Sequence, residues 1–455
     1  MTRSMFWKNS LLTVLGVLLI AAGFFWGFLS QRDHLFPNRA LVSISQDTPN
    51  SGKSEKVRKN KIPAGRWLPA EGHPQENEGQ DRISASRQET IEQLLAVGYL
   101  TGHDKAPAVT GILAYKKKLA FEGLNLYTSG HAPEACLMDM EGKNLHFWKR
   151  EFRDVWPDRK VLPRTTGHQY WRRAYLFENG DLLAIFEGLG LIKLDRNSNV
   201  LWSFDGNAHH DLFVRDNGEI YVLTREAKVI PRINPTEPVL EDFITILNAK
   251  GKFQRKISIL EAFERSWYAS VLWPIRKEDL FHTNTLEVLD GRFVNRTPAF
   301  RKGNVLISIP HLDLIAVIDP DQEKVVWMLQ GCWRFQHQPT FLDNGNLLIF
   351  DNAGDRGKSR VIEFDPMTQT VSWWYTSNQQ RIFFSHTLGS CQRLPNGNSL
   401  ITESDRGRAF EVTADKTVVW EFLNRHRAGP EGRLIATLPE VIRIPSSFVS
   451  SWLVQ

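Results

Sequence analysis

Two histidines stand at one fixed distance ahead of the same dipeptide. His210 lies seven residues before Asn217-Gly218, and His337 lies seven before Asn344-Gly345. His386 comes ten residues before Asn396 and His168 eleven before Asn179, while His282 heads another such stretch in Phe281-His282-Thr283-Asn284. Neutral imidazole serves as nucleophile or general base near neutral pH. Further imidazoles and an amide such as Asn284 can hold the oxygens of a tetrahedral anion as its charge develops. Histidine with Asp or Asn is also ordinary metal-ligand chemistry. No His-x-x-x-His spacing occurs, however, so a metal site would have to be assembled by tertiary structure. The plain alternative for each histidine is a structural one that hydrogen-bonds within its own sheet. A Gly-rich phosphate loop after a strand and a Gly-x-Ser-x-Gly elbow are both missing from the sequence.

The elements that would position these residues are short strands. Asn-Gly recurs at Asn179-Gly180, Asn217-Gly218, Asn344-Gly345 and Asn396-Gly397, each time before an apolar run, with a weaker copy at Gly303-Asn304. Asn-Gly between apolar runs predicts a tight two-residue hairpin turn, because such turns need positive φ. A second strand ending in Asp follows, and a third near an aromatic, as in Ile192–Asp195 with Val200–Trp202 and Ala316–Asp319 with Val325–Trp327. Repetition at roughly 40–50 residues is the period of a four-stranded propeller blade. Six units fit, at about 124–165, 166–206, 207–275, 276–331, 332–380 and 381–425, and the tail from Leu434 to Ser446 is placed to supply a closing strand. The predicted fold is therefore all-β, a six-bladed β-propeller over residues 124–445. Equivalent residues at the heads of its inner strands converge on the mouth of the axial channel.

The 455 residues include 15 Trp and are 42% hydrophobic, ample for a large core. A net charge of +5 with no basic stripe interleaved with aromatics argues against nucleic acid binding. Nineteen uncharged residues from Leu11 to Leu29, preceded by Arg3 and Lys8, have the length of one membrane-spanning helix. The expectation is a cytoplasmic tail at 1–10, an uncleaved signal anchor at 11–29 holding the bilayer, and an exported remainder. That places the propeller in the periplasm, or in the secretory lumen or exterior of a eukaryote. Residues 30–83, poor in apolar side chains, read as a flexible stalk, 84–123 as a short helix with lead-in strands, and 446–455 as a C-terminal tail. Cys136, Cys332 and Cys391 show no metal or redox spacing and read as core residues.

At these residues the sequence resembles the arylsulfotransferase family, six-bladed propellers that move sulfate between phenols without a nucleotide donor. The likeness spans about 120–445 and is most specific at His209-His210-Asp211, Phe281-His282-Thr283-Asn284, Gln336-His337 and Phe350–Gly357. The resemblance implies that His337 becomes transiently sulfated and that His282, Asn284 and His210 hold the sulfuryl oxygens. It implies an aryl sulfate donor, a phenolic or other hydroxyl acceptor and no cofactor. Where the family carries Ser-Arg-His, this chain reads Ser308-Ile309-Pro310-His311, so Pro310 replaces a cation. His311, Arg334 and Arg356 are the candidates to supply it. Three functions stand open on the sequence: a membrane-tethered sulfotransferase or related hydrolase, a non-catalytic binding or scaffold propeller, and a metal-dependent hydrolase at the channel mouth.

Overall fold

The computed structural model describes residues 105–453, apart from 163–164, 274–277, 356–357, 378–381 and 429–431. The expected span at 11–29, the stalk at 30–83 and the helix beginning near Ser86 lie outside the described residues, and among those described no helix is long and apolar enough to cross a membrane.

Among the described residues six antiparallel sheets form the blades, and a two-stranded sheet pairs Arg427–Ala428 with Leu434–Ile435. From inner to outer strand, blade 2 runs Arg173–Leu176, Leu182–Phe186, Gly190–Leu194 and Val200–Phe204. Blades 3, 4 and 5 repeat the order from inner strands Ala208–Val214, Thr285–Val288 and His337–Phe341. Blade 6 starts at Ser390–Arg393 and carries Gly111–Tyr115 as a fifth strand outside Val418–Leu423. Blade 1 is closed by the C-terminal part of the chain, with Glu440–Ile444 inside Leu124–Thr128.

The blades hold together because their middle strands are buried on both faces. In Leu182–Phe186 every residue is buried: Leu182, Ala184 and Phe186 pack toward blade 1, Leu183 and Ile185 toward blade 3. Such strands read as continuous apolar runs rather than alternating ones. Each neighbouring pair of blades shares one apolar cluster, so six clusters circle the axis. Each fully buried Leu, Ile or Phe contributes about 1.5–3 kcal/mol.

The Asn-Gly turns form, in a longer version than the two-residue turn expected. Only the glycines take positive φ (Gly180 +87°, Gly218 +82°, Gly345 +82°, Gly397 +87°), whereas a two-residue type I′ turn needs it at both central positions. Gly180 N donates to Phe177 O at 3.0 Å and Phe177 N to Asp181 O at 2.9 Å, which leaves a three-residue loop. Asn179 Oδ1 accepts from Asp181 N at 3.1 Å, and Asn217, Asn344 and Asn396 repeat that bond. Asparagine is thus selected for its side-chain acceptor and glycine for its backbone. Cys136 and Cys391 are buried as expected, but Cys332 is exposed, and all three are free thiols.

Candidate active site

The inner strands begin on the face where each outer strand crosses to the next blade, and their first residues line one pocket on the axis. Its walls are Arg172 and Arg173, His210 and Asp211, Asn284 and Thr285, His337 and Gln338, Gly389 and Ser390, and Pro439 and Glu440, one consecutive pair from each of six blades. About 270 Å³ of space free of protein atoms, part of it open to solvent, lies between them. A larger cavity of about 960 Å³ lies at the outer part of blade 6. Charged groups there pair with one another, Arg408 reaching Glu403 at 2.9 Å and Glu421 at 2.7 Å.

Backbone bulges let two successive residues face the axis. Val222 pairs with Leu212 and Thr224 with Ala208, so His209, His210 and Asp211 stand opposite Leu223 alone. In blade 5, Gln338 and Pro339 stand opposite Ile349. Bulges of this kind re-aim side chains beside functional sites. They bring positive φ to His210 (+50°) and Gln338 (+47°), and a turn does so at His282 (+54°). Each such residue costs on the order of 1–2 kcal/mol. Neighbouring side chains hold the strained amides: His210 N donates to Glu187 Oε2 at 3.2 Å, His282 N to Asp279 Oδ1 at 3.1 Å and Gln338 N to Thr285 Oγ1 at 2.9 Å.

The second residue of each pair builds the pocket floor. Arg173 lies 3.0 Å from Asp211 and also pairs with Glu440, which accepts from Gln338 Nε2 at 2.7 Å. Asp211 Oδ2 accepts from Leu286 N at 3.0 Å, and Gln338 Oε1 from Cys391 N at 3.0 Å. In this belt one cation, Arg173, joins carboxylates from two other blades.

The first residues form the mouth. His337 Nδ1 is 2.9 Å from Asn352 Oδ1 and 3.0 Å from Phe335 O. His210 is buried with its Nδ1 at 2.8 Å from His209 Nδ1, and its ring lies 5.0 Å from that of His282. Asn284 Nδ2 donates to Gln336 O at 2.9 Å, keeping its second N–H for a ligand. Burial, aided by the Arg172 charge, pushes the His337 imidazole down to about 3. Burial and the adjacent His282 and Arg172 hold His210 well below the ordinary histidine range. Both rings are therefore neutral bases at pH 7. Burial pushes Asp279 up, but His282 and His311 outweigh it and hold this carboxyl below its usual range.

Of the residues singled out in the sequence, the structure brings His210, Asn284 and His337 into one pocket, with His282 against His210. His311 sits 4.6 Å from the His282 ring on the turn Pro310–Leu312, one layer back. Arg334 points away: its side chain is 65% exposed and lies 3.7 Å from Asp313. Arg356 falls outside the described residues. His168 packs on Phe152 and His386 precedes blade 6, and neither lines the pocket. The cation missing at Pro310 is present from another blade. Arg172, buried and with Nε a loose 3.7 Å from Glu187, supplies positive charge beside His337 and His210. A sequence signal for it existed, because Arg172 lies seven residues before Asn179, the spacing of His210 and His337.

Fold and pocket define a six-bladed propeller with a histidine-lined axial site. The chain belongs to the arylsulfotransferase (ASST) family, whose profile matches residues 173–425. No protein of curated function matches it. Among solved structures it is similar to a protein of unknown function from Bacteroides caccae, at 12% identity over 70% of this chain and 98% of that one, with a TM-score of 0.46. It is also similar to a streptogramin B lyase, at 12% identity over 73% and 95% with a TM-score of 0.39. The Dos1 propeller matches at 12% identity over 70% and 76%, with a TM-score of 0.36.

Proposed function

We propose that the axial pocket transfers a sulfuryl group from an aryl sulfate to a hydroxyl acceptor by way of His337. The observation that carries this is the convergence, in one small polar pocket, of a neutral buried imidazole, the cation Arg172 and the donors His210 and Asn284, with His282 packed against His210. The imidazole attacks sulfur, an N–S bond forms, and the S–O(aryl) bond breaks with its electron pair leaving on the phenolate. Arg172 and the polar side chains hold the sulfuryl oxygens as charge shifts. The acceptor, its hydroxyl proton passing to the released phenolate or to solvent, then takes the group with its oxygen by the reverse step, giving ping-pong transfer. The apolar run at Leu11–Leu29 behind Arg3 and Lys8 supports an exported enzyme tethered to a bilayer.

The test is turnover of a chromogenic aryl sulfate by the full-length protein, with and without a phenol acceptor. Expected is turnover that rises with acceptor and disappears in His337→Ala. Turnover indifferent to acceptor identifies a hydrolase, and none by folded protein across several donors identifies a binding propeller. A metal-dependent hydrolase is favoured by one observation: ligand atoms of Asp279, His282 and His311 lie within 4.8 Å of one another. Loss of turnover on chelation, restored by a divalent cation, would select that reading.

A further inference from the structure

Asn352 lies on the second strand of blade 5, Leu347–Asp355, and is fully buried. Its Nδ2 donates to Ser385 O at 3.0 Å and to Leu388 O at 2.7 Å. Two carbonyl oxygens at those distances can only be met by the amide nitrogen, so Oδ1 is the atom turned to His337. His337 Nδ1 therefore faces two pure acceptors, Asn352 Oδ1 at 2.9 Å and Phe335 O at 3.0 Å. It must carry the ring proton and donate it. The lone pair is left on Nε2, which makes no hydrogen bond among the described residues, on a ring that lines the axial pocket.

We propose that Asn352 is a positioning residue: it fixes Nε2 as the attacking atom of His337 and keeps the Nδ1 proton on the ring throughout the transfer. This rests on the reading of His337 as the sulfuryl carrier. When Nε2 bonds to sulfur and the phenolate departs, the ring becomes an imidazolium joined to a sulfonate, neutral as a unit. Its Nδ1–H is far more acidic than before. An acceptor that took that proton would leave an anionic N-sulfoimidazole, whose departure as imidazolide in the second step is slow. A neutral amide oxygen and a peptide carbonyl strengthen their hydrogen bonds to the charged ring without removing its proton. The acceptor oxygen can then expel neutral imidazole, and the ring returns to its starting tautomer with its proton still on Nδ1. The Asp-His pairing common in acyl transfer is thus replaced by Asn-His where the intermediate must stay labile.

The test uses full-length protein labelled with 15N-histidine, with the His337 signals assigned by their loss in His337→Gln. Long-range proton–nitrogen spectra at pH 7 are expected to show Nδ1 protonated and Nε2 bare, and the opposite pattern overturns the proposal. In Asn352→Ala Phe335 O still accepts from Nδ1, so the tautomer should persist at least in part, while turnover of an aryl sulfate should fall between about 10- and 100-fold, as for loss of a hydrogen bond to a charged group. A folded Asn352→Ala protein with undiminished turnover also overturns it. Where that variant does not fold, Asn352→Ser takes its place and the unmutated tautomer still decides. If the unmutated protein turns over no aryl sulfate, the sulfotransferase reading fails, while the spectra independently settle the proton on His337.

Discussion

Arg172 and Arg173 are adjacent in the sequence and sit in surroundings of opposite design. Arg173, on the floor of the axial pocket, is matched to Asp211 and Glu440, and its belt runs on through Gln338 to blade 6. Arg172, at the mouth, has among the described residues a loose contact with Glu187 and stands among imidazoles held neutral. The same contrast separates His210 from Asp211 and His337 from Gln338. On the floor, polar groups satisfy one another and pin the inner strands in a ring. At the mouth, they are desolvated without full compensation, a state that costs stability but leaves charge and lone pairs for a substrate. In blades 3 and 5 a bulge that turns two successive side chains to the axis lets one strand end provide both.

Replacing each arginine in turn should give the largest effects and is the sharpest way to break this contrast. Arg172→Gln is expected to lower kcat/KM for an aryl sulfate by about 10²–10³-fold, the range for losing one preorganised charge stabiliser. Its stability cost should be the smaller one, because Glu187, pushed up by burial, can take a proton. Arg173→Gln leaves Asp211 and Glu440 facing each other without a cation and should cost about 3–5 kcal/mol. Steady-state kinetics and urea titration on both variants measure the split. Equal loss of activity and stability in the two would show that mouth and floor are one unit.

Stability against pH separates the tiers at intermediate size, because their contributions have opposite sign. His337 titrates near 3 in the folded protein and near 6.5 when unfolded, so between those values the unfolded chain binds the extra proton. Stability from this group therefore rises with pH and is lost on acidification below about pH 6.5. Glu287, on the inner strand of blade 4 below the floor, is pushed up to about 7 by burial. Its unfolded value is near 4.5, so the folded protein holds the extra proton between those limits and stability falls as pH rises. Glu287→Gln should steepen the loss of stability on acidification between about pH 7 and 4.5, and His337→Gln should flatten it. Each changes the slope by at most about 1.4 kcal/mol per pH unit. Urea midpoints at pH 5, 6 and 7 read both slopes.

Much of this arrangement was legible because the fold repeats. The Asn-Gly turns mark the blades, and counting back seven residues from Asn217 and Asn344 lands on His210 and His337 at the channel mouth. The same count from Asn179 gives Arg172 and from Asn396 gives Gly389, both lining residues. Searching for histidine instead of for position led to His168 and His386, which are out of register. Gly389 also explains why blade 6 offers no side chain there: its φ is +100°, and a Cβ would lie 2.4 Å from the Phe350 ring. What the sequence could not yield depends on pairing between strands. Bulges are visible only as a mismatch of register, and the Asn352–His337 contact exists only because two strands of blade 5 run side by side. Arg334 looked equivalent to a site cation in sequence, yet it sits in the bend before the inner strand of blade 5 with its side chain in solvent.

The smallest effect tests the one residue that joins the tiers. Thr285 Oγ1 accepts from Gln338 N at 2.9 Å and donates to Asn284 Oδ1 at 3.1 Å, so it touches floor and mouth together. Thr285→Val keeps the shape and removes both bonds. Gln338 N, in a partly buried residue, then loses this partner on a backbone at φ +47°, which should cost about 1–2 kcal/mol of stability. Asn284 stays anchored through its Nδ2 bond to Gln336 O, so KM for an aryl sulfate should change by no more than about twofold. A KM shift as large as that of Arg172→Gln would mean that floor order sets the geometry of the mouth. In that case the two tiers differ in charge balance but act as one device, with the belt holding the donors at the spacing the sulfuryl group requires.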